Sequence, residues 1–82
     1  FMKIYDYNGK KNICGDRLRE VRVVQRLRQE DLAAKIQTMG VNMERDSISR
    51  IEIGTRFVSD FELKVFAKAL GVSVDWLLGN DE

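Results

Sequence analysis

The sequence predicts an all-α domain of five short helices behind an irregular N-terminal arm. Three observations lead there. Apolar residues recur at helical spacing in successive stretches between residues 15 and 78. Stop and start signals separate the stretches, with Gly40, Gly54 and Gly71 after apolar runs and Ser59 and Ser73 ahead of them. The composition, 44% hydrophobic and 33% charged with no proline, is that of a folded chain and not a disordered one. With 82 residues there is room for one small core.

Residues 2–13 show no helical period. Asn8-Gly9 is a strong turn dipeptide, and Ile4, Tyr5 and Tyr7 beside it allow a small hairpin. A two-stranded hairpin is marginal in water unless it packs on something. Residues 1–14 are therefore read as an arm, 15–79 as the domain and 80–82 as a tail.

The first helix is expected from Gly15 to Arg26, with Asp16 near its positive end. Leu18, Val21 and Gln25 mark its inner face and Leu27 closes it, while Arg17, Arg19, Arg22 and Arg26 occupy the rest. The second helix starts near Arg28 or Gln29, with Glu30 and Asp31 in its first turn. Leu32, Ala33, Ile36 and Met39 form a buried stripe, and Gly40 stops it. The third starts between Asn42 and Glu44, Asn42 being the better cap by residue type. Ile48 and Ile51 face inward with Met43, and Arg45, Asp46, Ser49 and Arg50 face outward. Ser59-Asp60-Phe61-Glu62 is a capping box that opens the fourth helix, whose stripe is Leu63, Phe66, Ala67 and Leu70. Ser73 caps a short fifth helix, Val74 to Leu78. Trp76, Leu77 and Leu78 are consecutive, so one of them at least stays partly exposed, because each helical step turns about 100°.

Composition narrows the chemistry. There is one cysteine, Cys14, and no histidine. No internal disulfide is possible, the soft ligands of a zinc site are missing, and so is the commonest general base. Cys14 has no histidine partner to activate it. No enzyme activity, metal or cofactor is expected. No run of 18 apolar residues is present to span a membrane. A lone thiol and the lack of a leader-like apolar stretch suit a cytoplasmic protein.

Net charge is only +1, but it is uneven: +5 over residues 1–28, −1 over 29–58 and −3 over 59–82. A basic front and an acidic back suit a chain that presents one side to a polyanion, though solvated faces also carry such charge. The second and third helices sharpen this. Ala33 is small enough for a crossing helix to approach, and a short helix with an inward apolar and an outward charged face follows. Major-groove readout needs a narrow helix ending in groups that donate to guanine or accept from cytosine. Arg45 and Arg50 are donors of that kind and Asp46 is an acceptor. Helix pairs of this kind also occur in plain bundles.

Four blocks in order go further. They are Gly15-Asp16-Arg17-Leu18-Arg19-Glu20-Val21-Arg22, then Leu27-Arg28-Gln29-Glu30-Asp31-Leu32-Ala33, then Ser47-Ile48-Ser49-Arg50-Ile51-Glu52-Ile53-Gly54, and Ala67 through Leu78. Together they resemble the lambdoid-repressor helix-turn-helix family (Cro-like, XRE-type) over residues 15–79. The resemblance implies a lambda-repressor-like DNA-binding domain and a transcriptional regulator, a repressor, acting as a homodimer on a palindromic double-stranded DNA operator. It implies base reading by Glu44, Arg45, Asp46 and Arg50. It implies phosphate contacts from Arg19, Arg28, Gln29, Ser47, Ser49, Thr55 and Arg56. Arg22 and Glu52 match a pair that forms a buried salt bridge between the first and third helices. Lys3, Lys10 and Lys11 give the arm cations that can reach DNA.

The chain departs from the family pattern in three places. Ile36 to Ile48 spans twelve residues where about seven is usual. The extra residues, within Gln37–Val41, are expected to lengthen the second helix by a turn and enlarge the loop. Arg28 and Glu44 stand where Ser or Thr caps are usual, so both helix starts are open to shift. Arg26 stands where glycine is frequent. A protein-interaction module, such as an antitoxin-like partner, is the alternative of a different class. Steep weakening with salt would mark DNA binding.

Overall fold

The computed structural model describes residues 6–80. Its helices are α1 (Gly15–Val24), α2 (Gln29–Gln37), α3 (Arg45–Ile53), α4 (Asp60–Leu70) and α5 (Val74–Leu77). The architecture is all-α, as expected. α3 packs on both α1 and α2, α4 lies under α1 and α2, and α5 closes against α4 and α1. The predicted stripes meet in one core. Phe66, Leu18, Leu32, Ile36, Ile48, Ile51 and Leu77 are fully buried, each worth about 1.5–3 kcal/mol of transfer free energy.

Helix starts follow local chemistry. Ser59 Oγ accepts from the Glu62 N–H at 3.4 Å, and the Glu62 carboxylate accepts from the Ser59 N–H at 3.0 Å. Ser73 Oγ likewise accepts from the Trp76 N–H at 3.0 Å. α2 and α3 start after Arg28 and Glu44, both extended and without a side-chain cap hydrogen bond. Neither start is displaced by its unusual residue. Asn42 is not the cap of α3. Val41 and Met43 on either side of it are both buried, which carries the chain outward at Asn42 and leaves the turn into α3 to Glu44.

All five helices end in the same closure. An N–H just past each helix cap returns to a carbonyl five residues back: Leu27 to Arg22, Val41 to Ile36, Thr55 to Arg50, Val72 to Ala67 and Asn80 to Asp75. This Schellman closure needs a left-handed residue just before the returning N–H. Four of the five are glycines, and Arg26, at φ +61°, is the fifth. α1 consequently ends at Val24 instead of reaching Arg26. The longer connection after α2 is explained the same way. The extra residues form the closing turn, Thr38–Gly40, and an extended run into Glu44, and α2 gains no further turn. Gln37 Nε2 donates to the Met43 carbonyl at 2.9 Å and pins that run.

The arm's Asn8-Gly9 turn is formed. Tyr7 and Lys10 exchange backbone hydrogen bonds of 2.7 and 3.0 Å, with Asn8 at φ +52° and Gly9 at +83°. Ile4, Tyr5 and Lys3 lie outside the described residues. In α5, Leu77 is buried while Trp76 and Leu78 are half-buried, as three consecutive apolar residues require.

Candidate nucleic-acid interface

α3 buries Ile48, Ile51 and Glu52. The spacing of those residues leaves Arg45, Asp46 and Arg50 exposed on the other side, with Ser47 and Ser49 half-buried along its edges. Glu44 is exposed at its start. Arg45 Nη1 lies 3.2 Å from Asp46 Oδ1, a solvent-exposed pair of little energetic weight. Nothing among the described residues pairs with Arg50.

Beneath this face lies the charged joint between α1 and α3. Arg22 Nε and Nη2 donate to Glu52 Oε2 and Oε1 at 2.6 and 3.0 Å, and Nη1 donates to the Leu27 carbonyl at 2.7 Å. Gln29 Nε2 adds a third donor to Glu52, at 3.0 Å. The hydrogen bonds that Arg22 donates to Glu52 hold its pKa above the ordinary value, against the opposing pull of burial. Arg22 therefore stays charged, each of its three side-chain nitrogens and both Glu52 oxygens have a partner, and the joint fixes the base of α3.

The other candidate phosphate contacts fall into two groups. Arg19 and Thr55 are exposed, and Thr55 also closes α3 through its N–H to the Arg50 carbonyl at 2.9 Å. Arg28 and Arg56 are already engaged. Arg28 pairs with Asp31 at 3.1 Å and with Glu30 at 3.8 Å. Its hydrogen bond holds the Asp31 carboxyl below the usual range. Arg56 donates to Glu62 at 3.2 Å and to the Phe57 carbonyl at 2.9 Å. Burial alone would raise the Glu62 pKa, but the hydrogen bonds from Arg56 and Ser59 hold it down. Arg56 thus ties the loop after α3 to the start of α4. Of the arm lysines, Lys10 lies 3.5 Å from Asp16 in an exposed pair. Burial pushes the Cys14 thiol up to about 11, so no thiolate forms near neutral pH.

One residue at this site carried no sequence signal. Asn12 Nδ2 donates to the carbonyls of Ile51 (3.0 Å) and Arg56 (2.8 Å), and its Oδ1 accepts from the Gly15 N–H at 2.8 Å. The start of α1 and the end of α3 approach so closely that a Cβ on Gly15 would stand 2.2 Å from the Ile51 carbonyl oxygen. An asparagine three residues ahead of a helix reads as turn chemistry, and its partners 39 and 44 residues away are not visible locally.

Comparison with known proteins agrees with this geometry. No curated protein matches the chain. Among solved structures, the P22 c2 repressor protein, crystallised in complex with a synthetic operator, is similar at a TM-score of 0.72 and 27% identity. The match covers 85% of this chain and 98% of that one. A helix-turn-helix domain model matches residues 14–77. With five helices in the lambda-repressor arrangement and that model spanning most of its length, the chain belongs to the helix-turn-helix domain family of the Cro and lambda-repressor type.

Proposed function

We propose that this chain is a sequence-specific double-stranded DNA-binding regulator, a repressor, that reads the major groove with α3. The carrying observation is the outward face of that helix. Arg45, Asp46 and Arg50 lie exposed on a rigidly held helix, and the Arg50 guanidinium has no partner among the described residues. A bidentate arginine suits guanine O6 and N7, and a carboxylate suits the cytosine amino group. The similarity to a repressor crystallised with an operator supports the reading. Arg19, Arg28, Ser47, Ser49, Thr55, Arg56 and the backbone N–H of Gln29 at the start of α2 are the proposed phosphate contacts. A single module of this size covers about 600–1,000 Å² of DNA, so a homodimer on a palindromic site is the proposed working form.

Selection of duplexes from a random pool, followed by titration at several salt concentrations, tests the proposal. A defined G/C-containing half-site should emerge, and log K should fall linearly with log salt by about 0.9 per phosphate neutralised. Absence of any selected sequence, or binding indifferent to salt, overturns it.

A further inference from the structure

Asn12 is half-buried, and its side-chain amide is fully used. One group reaches three segments: the first N–H of α1, the last turn of α3 and the loop that follows. Lys11 N–H adds a 2.8 Å bond to the Gly54 carbonyl beside it. Gly54 lies so close to the arm that its missing Cβ would meet the Lys10 side chain at 3.0 Å. The end of α3 is thus clamped by the arm. Its other end is held by the buried Met43, and its middle by the Arg22–Glu52 joint. Without Asn12, the Ile51 carbonyl keeps only the closing N–H of Gly54, and the Arg56 carbonyl loses this partner.

We propose that Asn12 is a positioning residue for the DNA-reading helix, fixing the tilt of α3 and the path of the loop after it by tying Ile51 and Arg56 to the start of α1. The proposal rests on the DNA-binding reading above. Base-edge hydrogen bonds are directional and fail within about 0.5 Å or 10–20° of misplacement, whereas attraction to phosphate tolerates it. Loss of the clamp therefore lowers discrimination between sequences and spares general affinity for duplex. A side chain that only stabilised the fold would leave both unchanged in any variant that is still folded.

Two variants test this. Asn12→Asp keeps an acceptor for the Gly15 N–H and removes both donors, and Asn12→Ala removes all three bonds together with the weak 3.9 Å contact from Cys14 Sγ. Affinity is measured for the duplex selected by the unchanged protein and for random duplex, at a temperature where circular dichroism shows each variant fully folded. Both variants should lose about tenfold on the selected duplex relative to random duplex, the equivalent of one base contact, and in Asn12→Ala, which adds no charge, random-duplex affinity and its salt slope should hold. In Asn12→Asp the Lys11 amide should exchange faster while Gly15 stays protected. If Asn12→Ala does not fold, Asn12→Asp, with the start of α1 still capped, carries the measurement. A folded Asn12→Asp protein with an unchanged ratio of selected to random affinity overturns the positioning role alone. Failure of the unchanged protein to select any duplex overturns the DNA reading itself, before any variant is made, and the positioning role with it.

Discussion

Arg22 and Arg50 show how one residue type serves two different purposes. The Arg22 side chain is 11% exposed and its partner Glu52 3%, so neither charge is stable there without the other. Replacing Arg22 with Met leaves a buried carboxylate facing Gln29 alone. The expected cost is about 3–5 kcal/mol, read as a lower urea midpoint; a loss under about 1 kcal/mol would show that the joint is not needed to hold α1 against α3. Arg50 has no such burden. Arg50→Ala should leave folding stability within about 0.5 kcal/mol and weaken binding to a selected duplex by about 1–3 kcal/mol, with relaxed preference at one base position. Wild-type affinity and preference in that variant would remove Arg50 from the reading face.

At the scale of the helices, the shared closing motif makes α1 the exception. The left-handed conformation costs a residue with a side chain about 1–2 kcal/mol. Arg26 is exposed and takes that conformation at φ +61°. Glycine there avoids the cost but adds roughly 0.5–1 kcal/mol of unfolded-chain entropy. Arg26→Gly is thus expected to stabilise the domain by about 0.5–1 kcal/mol. Thermal unfolding checks it, and a midpoint equal to or below that of the unchanged protein would mean Arg26 makes a compensating contribution. The two engaged arginines belong to this scale as well. Arg28 steadies the start of α2 through Asp31, and Arg56 links the end of the α3 loop to α4 through Glu62.

For the whole molecule, acid stability and assembly are the accessible tests. The Asp31 and Glu62 carboxyls both titrate below their ordinary values in the folded chain. The unfolded chain therefore binds protons first as pH drops. The stability these groups contribute is complete above their unfolded values and is lost as pH falls through the folded ones. The thermal midpoint should decline from about pH 5 toward about pH 3, and Glu62→Gln should flatten part of that decline; an equally steep decline would exclude Glu62 as a source. For assembly, sedimentation with a palindromic duplex is expected to give two protomers per duplex. Trp76 and Leu78 leave apolar surface partly open at α5, and Leu78→Lys should weaken self-association if that surface is shared between copies. One protomer per palindrome at saturation would contradict the dimer.

The sequence by itself determined the helices, their order and the inward stripes, because capping boxes, glycine stops and the 3.6-residue period are properties of neighbouring residues. Ser59 with Glu62 and Gly71 with Leu70 announce α4 without help from the rest of the chain. The outward face of α3 follows from the same period. The Arg22–Glu52 joint was legible only through family resemblance, since nothing local connects residues 30 positions apart. Tertiary structure alone decided the rest. Asn42 lost the capping position to Glu44 because burying Val41 and Met43 is worth about 1.5–3 kcal/mol each, against about 1 kcal/mol for a cap. Arg26 turned left-handed because α1 must close before Leu27 can reach the core. Asn12 acquired its three partners only when the start of α1 met the end of α3. In each case the deciding energy lies in contacts between distant segments, which local patterns do not encode.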